Sequence, residues 1–336
     1  SRPVGRSTRH PRYFCKRTAG VAASGWAGAL PAAAGEFGLG DGNRITDQGG
    51  RRHVVDQPFG RIISLYGAHT ENLFALGLER EIIGVTRHES YPPAAGRKPV
   101  FSYHDDPEKF LAARPDLVLV RPMIDRGYRP LMDRLEKSGI AVVSLQPGTI
   151  QEMYVYWQIL GVLGGRQAEA AAMAARFRRA VAAFAALAER VEAPKRVFFE
   201  AIHSKMKTFS PDSMPIFALQ TAGGINLAAD ATPVRGTNIA AYGTERILSH
   251  AAELDVYLAQ QGVMNRVSRQ TIIAAPGFAA LKAVRENAVF LVDETIVARP
   301  TPRLLLGIAV LGRILYPSVF EPSAAAILQA AGLDPQ

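Results

Sequence analysis

Two segments of this chain repeat one another. Asp105 to Val120 reads DDPEKFLAARPDLVLV, and Tyr242 to Ala259 reads YGTERILSHAAELDVYLA. Each opens on a helix-starting residue and sets a glutamate in the first turn (Glu108, Glu245). Each then runs as a short amphipathic helix, passes an acidic turn (Asp116, Asp255) and ends in an apolar, β-rich run. Such a repeat constrains the chain to two similar lobes, and matched lobes leave a gap in which a ligand can be held. They also offer two equivalent carboxylates, which suits a symmetric partner.

At 336 residues the chain is long enough for two α/β lobes, each with its own core. Its net charge of +9 would suit nucleic acid, but Arg2, Arg6, Arg9, Arg12, Lys16 and Arg17 all lie in the first 34 residues, which hold no acid. Without those six the net charge falls to +3, so a polyanion-binding stripe is not supported and no nucleic-acid partner is expected. Residues 1–34 read as a secretory leader: a basic start, the small-residue run TAGVAASGWAGAL, and an Ala32-x-Ala34 cleavage site. Cys15, the only cysteine, lies among Arg12, Lys16 and Arg17, which does not fit a lipid-attachment signal. The mature chain is thus expected to hold no disulfide and no cysteine-based metal site. No apolar stretch reaches the roughly 20 residues that a membrane-spanning helix needs.

After the leader, Ile45 to Leu65 gives strand, Gly49-Gly50 turn and strand, then a third strand beyond Pro58 that runs into the helical pattern HTENLFALGL. IIGVT, PDLVLVR and IAVVSL are continuous apolar runs, as expected for parallel strands covered on both faces. Helical patterns fall at 70–77, 107–113 and 129–138. From Thr149 to Glu192 the pattern is helical, broken near Gly164-Gly165 and stopped by Pro194; its second part is rich in Ala, Arg and Glu. Strands resume with RVFFEAI, DVYLA and AVFLV before the closing segment RLLLGIAVLGRILYP. The fold class is α/β: two similar lobes with central, mainly parallel sheets, joined by one long interlobe helix. The domain expectation is a leader at 1–34, lobes at 35–148 and 194–336, and a helical segment at 149–193. A stiff strut of this kind favours small tilts over clamshell motion.

In α/β lobes the cleft is lined by loops at the carboxyl ends of strands. Those loops carry Tyr66 and His69, then Arg87, His88 and Tyr91, then Tyr103 and His104, then Arg121, Met123, Arg126 and Tyr128. In the second lobe they carry His203, Lys205, Met206, Lys207, Arg235, Tyr242 and Arg299. Arginine and lysine suit carboxylates, catecholates or phosphates, and tyrosine offers both a stacking face and an oxygen ligand for ferric iron. The expected ligand carries anionic groups. TAGGINLA has two glycines but neither the GxGxxG spacing nor a following Lys-Ser/Thr, so a phosphate loop is not indicated. Ser210 has no adjacent base, no triad or paired-carboxylate arrangement is visible, and no enzyme is expected. Met153, Tyr154, Tyr156 and Trp157 read as lobe packing.

Taken in order, ITDQGGRRHVVDQPFGRIISLYGAHTENLFALGLEREIIGVTRHESYP, DDPEKFLAARPDLVLV, the central helix, LQTAGGINLA, YGTERIL and RPTPRLLLGIAVLGRIL resemble the helical-backbone class of periplasmic substrate-binding proteins. These serve ABC importers for ferric siderophores, haem and cobalamin, and the resemblance spans about residues 45 to 317. It implies that Glu108 and Glu245 dock on a permease dimer carrying ATPase subunits. It implies an exported, periplasmic monomer, free or held at a membrane surface, with no intrinsic cofactor, whose transported ligand is an iron chelate, haem or a corrinoid. For haem, Tyr103 and His203 are the implied metal ligands. An oxyanion such as molybdate, a bare metal ion, and a sensor or enzyme on the same fold stay open as alternatives.

Overall fold

The structure, a computed structural model, describes residues 36–334 apart from 88, 90, 235 and 236. The expected leader with Cys15, and the expected ligand residues His88 and Arg235, lie outside the described residues. The first lobe is built on four parallel strands in the order Ile82–Val85, Ile62–Ser64, Leu117–Val120, Ala141–Ser144. All four residues of Leu117–Val120 are fully buried, because helices cover both faces of the sheet. An antiparallel meander (Gly38–Gly40, Arg44–Thr46, Arg52–Val54) precedes it. Arg51 fastens this meander to the lobe by donating to both carboxylate oxygens of Asp125, each at 2.8 Å, and to Glu136 at 2.8 Å.

The second lobe has seven strands. Arg196–Ile202, Val256–Gln261, Val289–Asp293 and the short Ile225–Asn226 are parallel, while Lys207–Phe209, Ile239–Ala241 and Thr232–Pro233 add antiparallel pairs at one edge. Both lobes are thus centred on parallel strands. The internal repeat is structural: helix Pro107–Ala113 leads into strand Leu117–Val120, as helix Thr244–Ser249 leads into Val256–Gln261. Its acidic turns have the same task in each lobe. Asp116 accepts the backbone N–H groups of Gly60 and Arg61 at 2.8 and 2.9 Å, and Asp255 accepts that of Arg196 at 2.8 Å, so each closes off the start of the adjacent strand.

The connecting segment is a pair of helices, Ile150–Gly164 and Gln167–Ala188. Gly165, at φ +65°, ends the first in a left-handed turn that a side chain would strain. Tyr154 and Trp157 of the first meet Phe177 of the second with ring centres 6.1 and 5.2 Å apart, so the 22-residue second helix doubles back along its predecessor. That second helix, roughly 33 Å long at 1.5 Å per residue, is the long element of the expected fold.

The two lobes are cemented by the segment Arg299–Arg303. Arg299 and Arg303 donate to one oxygen of Glu71, on the first-lobe helix Gly67–Ala75, at 2.6 and 3.3 Å. Between them the Pro300 carbonyl accepts from Asn72 at 2.9 Å and from the Trp157 indole at 3.3 Å. Glu71 is only 3% exposed, so its charge depends on those two arginines. Glu71→Ala would leave both guanidinium groups without a counter-charge and is expected to cost about 3 kcal/mol of stability. Urea unfolding measures this as a lower midpoint; a midpoint equal to that of the parent chain would mean that solvent already carries the charges.

Candidate functional site

Ligands of open α/β sheets bind beyond the carboxyl ends of the strands, and the side chains there divide into those left available and those consumed by the fold. Tyr66 stands just past strand Ile62–Ser64, and Arg121 just past Leu117–Val120. The Arg121 guanidinium lies 5.2 Å from the centre of the Tyr66 ring and makes no hydrogen bond or ion pair among the described residues. From the opposite lobe, Arg299 lies flat against Gly67: a Cβ there would sit 2.7 Å from Arg299 Nη1, so glycine is what lets the guanidinium enter. Burial raises the Tyr66 hydroxyl pKa, opposed by the charges of Arg121 and Arg299. The first-lobe floor is therefore a phenol flanked by two cations, suited to an anionic group.

A second group in the first lobe is an aromatic ledge. Tyr103 is 4.6 Å from His104 and 4.5 Å from Tyr128 between ring centres, and Tyr128 and His104 meet edge-on at 5.0 Å. On the second lobe, Glu200 is fully buried in strand Arg196–Ile202 and accepts from His203 Nδ1 at 2.8 Å, from Asn265 at 2.9 Å and from the Tyr257 hydroxyl. The carboxylate fixes the proton on Nδ1, leaving Nε2 of His203 as an acceptor with no partner among the described residues. Glu89 belongs to the same floor. Burial pushes its carboxyl up from the ordinary 4.5 to about 7, with Arg299 opposing the shift and Glu71 adding to it. Buried polar atoms without partners gather here: Glu71 Oε2, Asn72 Oδ1, Glu89 Oε2, Arg121 Nε, Thr301 Oγ1 and Arg303 Nε. A cavity of about 640 Å³ lies behind Glu71, lined by Phe74, Met173 and Leu305, and of the strand-end residues Tyr91 reaches it.

Two of the expected ligand residues are taken up by the fold. His69 is completely buried; its Nε2 donates to the Val120 carbonyl at 2.9 Å and its Nδ1 accepts from the Tyr156 hydroxyl at 2.7 Å, so neither nitrogen is free for a ligand. Burial drives its pKa down to about 4, which keeps the ring neutral and fixes that tautomer. Tyr242 is also withdrawn. It is 8% exposed, packs on Phe198 with ring centres 5.5 Å apart and lies beneath the Arg246 guanidinium at 4.2 Å, as a core residue under the helix of Glu245. Of the rest, Arg87, His104, Met123 and Lys205 are exposed; Tyr66, Tyr103, Arg121, Tyr128, His203, Lys207 and Arg299 are half-buried. Glu108 and Glu245 occupy matching first-turn positions and are both exposed; Glu108 pairs with Arg134 at 3.1 Å.

Sequence reasoning missed Glu71, Glu89, Glu200 and Glu294. The signal was present for two of them: a lone carboxylate within RVFFEAI, or on the apolar helix after His69, must be buried and must find donors.

Two lobes centred on parallel strands, bridged by packed helices and joined over a charged floor, define a bilobal binding protein with little hinge freedom. Residues 62–295 match the family described as periplasmic binding protein. An uncharacterised ABC transporter substrate-binding lipoprotein of Bacillus subtilis is 26% identical over 78% of this chain and 81% of its own length. A vitamin B12-binding protein of Vibrio parahaemolyticus is 25% identical over 75% and 88%. A solved structure of a possible iron-binding (periplasmic solute-binding) protein from Staphylococcus epidermidis superposes with a TM-score of 0.68 at 24% identity, over 77% of this chain and all of that one. The chain belongs to the periplasmic binding protein family.

Because the Glu89 carboxyl binds its proton more tightly in the folded than in the unfolded chain, its contribution to stability is complete below pH 4.5 and is lost as pH rises through about 7. Glu89→Gln is expected to abolish that part of the decline, so denaturation midpoints at pH 4.5 and pH 7 should lie closer together in the variant. An unchanged gap would assign the pH dependence to other groups.

Proposed function

We propose that this chain is the substrate-binding subunit of an ABC importer, exported from the cytoplasm, that captures a metal chelate bearing anionic groups between its lobes and hands it to a permease. The chelate belongs to the siderophore, haem or corrinoid group. The observation that carries this reading is the Arg121 guanidinium, unpaired at the end of a central strand beside Tyr66 and accompanied from the other lobe by Arg299. An unpaired, half-buried cation has a desolvation cost that an anionic ligand offsets. The ledge of Tyr103, His104 and Tyr128 supplies stacking area for a flat ligand, and His203 Nε2 supplies a nitrogen toward a metal centre. A relative named as a vitamin B12-binding protein supports the same group of ligands. No helix among the described residues is long and apolar enough to cross a membrane.

Ligand capture is tested by native mass spectrometry and an absorption spectrum of protein purified from its own host. A bound mass that absorbs in the visible is expected, with the spectrum altered by Tyr103→Phe or His203→Ala. A colourless, ligand-free protein that also fails to take up haemin or cyanocobalamin would contradict the reading.

In this reading Glu108 and Glu245 dock on the two permease subunits, and their matched first-turn positions and exposure support it. Reversing both charges (Glu108→Arg with Glu245→Arg) should abolish uptake in cells while leaving ligand affinity within about twofold. Unchanged uptake would remove the docking role.

A further inference from the structure

The described residues include six large apolar side chains that stand exposed, and three of them stand just past central strands: Met123 at 53%, Val263 at 78% and Met264 at 55% exposure. Met123 is the third residue past strand Leu117–Val120, and Met264 is the third past Val256–Gln261, the two strands of the internal repeat. The methionines therefore occupy the same station on opposite lobes.

Neither is on a loose loop. The Val263 and Met264 backbone N–H groups donate to the two carboxylate oxygens of Glu294 at 2.9 and 3.2 Å, and Gly262 N–H donates to the Asn265 carbonyl at 3.2 Å. Asn265 is itself 4% exposed and tied to Glu200 and to the Gln260 carbonyl, each at 2.9 Å. A Cβ at Gly262 would collide with Glu294, so the glycine is what lets this carboxylate reach both amides. On the other lobe Met123 follows Pro122 at the start of helix Pro122–Gly127, whose Asp125 is held by Arg51. Holding large apolar side chains rigidly in water is unfavourable unless something covers them.

Position identifies what covers them. Glu294, which holds the Val263 and Met264 amides, opens helix Glu294–Val297, which leads to Arg299 against Gly67, next to Tyr66; Arg121, beside the Tyr66 ring, is two residues before Met123. Both tips thus flank the floor that holds Tyr66, Arg121 and Arg299. We infer that Met123 from one lobe, and Val263 with Met264 from the other, form an apolar pincer that closes on the hydrophobic face of the cleft ligand while the arginines hold its anionic groups. Methionine suits this contact because its thioether is polarizable and packs well on flat π-surfaces. The inference rests on the ligand class proposed above and adds to it: the ligand is amphiphilic, with a broad apolar or conjugated face. The residues at 263 and 264 then select among chelates by shape.

The test titrates the full chain and its variants with haemin and with cyanocobalamin. Because the tips are exposed, Val263→Ser with Met264→Ser should melt at the parent temperature, yet bind whichever probe the parent binds at least about tenfold more weakly. Met264→Leu alone, which keeps an apolar side chain at the tip, should retain most of the parent affinity. With ¹³C-methyl methionine, the Met123 and Met264 signals should both shift on adding cyanocobalamin, if that probe binds, while fully buried Met153 stays still. Equal affinity of parent and double variant would overturn the pincer and leave the cleft reading standing. So would lost uptake at unchanged affinity, which would assign the tips to the permease. A parent chain that is purified from its host without ligand and binds neither probe would overturn the cleft reading and the pincer with it.

Discussion

One buried carboxylate sets the relation between the lobes. Glu71 sits on the first lobe with almost no access to water, and its charge is balanced only by Arg299 and Arg303 from the second. An ion pair in such a setting is unforgiving, since removing either partner strands the other where water cannot compensate. Around it, the Pro300 carbonyl accepts from Asn72 and Trp157, and Asn72 also donates to Tyr156, whose hydroxyl donates to His69, which donates in turn to the Val120 carbonyl. A continuous chain of hydrogen bonds therefore runs from the second lobe through the connecting helix to the end of a central strand. The described residues accordingly form one compact unit rather than two separable ones. Motion in such a body is small, so recognition falls to side chains already in position.

This arrangement explains why some polar residues at the crevice are available and others are not. His69 and Arg299 are both near the floor, but His69 is used up in holding the lobes together, whereas Arg299 pairs with Glu71 through Nη1 and keeps the rest of its fork beside Gly67. Arg121 goes further and keeps its guanidinium free of any ion pair or hydrogen bond among the described residues. On the second lobe Glu200 is spent entirely on neighbours, and the result is a histidine with one oriented, unoccupied nitrogen. Polar groups near the floor are either built into the frame or left available, and the division follows from whether a donor or acceptor lies within reach.

Much of the architecture was legible in the chain. Uninterrupted apolar runs gave the parallel strands, the repeat around Glu108 and Glu245 gave the lobes, and Gly164-Gly165 marked the break between the connecting helices. The antiparallel strands after Ile202 were not foreseen, because Lys207–Phe209 and Ile239–Ala241 are too short to show a period. The site was read less well, for a physical reason. A residue just past a strand can be presented or swallowed depending on how the next helix turns, and one turn decides it: Tyr66 caps helix Gly67–Ala75 and reaches the crevice, while His69 three positions on points into the core. Tyr242 was lost in the same way beneath the Glu245 helix. The carboxylates Glu71 and Glu200 escaped notice because they sit inside apolar patterns, where the eye reads periodicity and passes over the one charge.

Two glycines carry a consequence beyond their own backbone. Gly67 makes room for Arg299, and Gly262 makes room for Glu294, so two charged groups of the second lobe both rest in notches cut by a missing methyl. The contour of the recess is thus written partly in hydrogen atoms. Chemical function here is steered by positions that have no functional group, and retuning this receptor toward another cargo would begin with those blank places as much as with the arginines they admit.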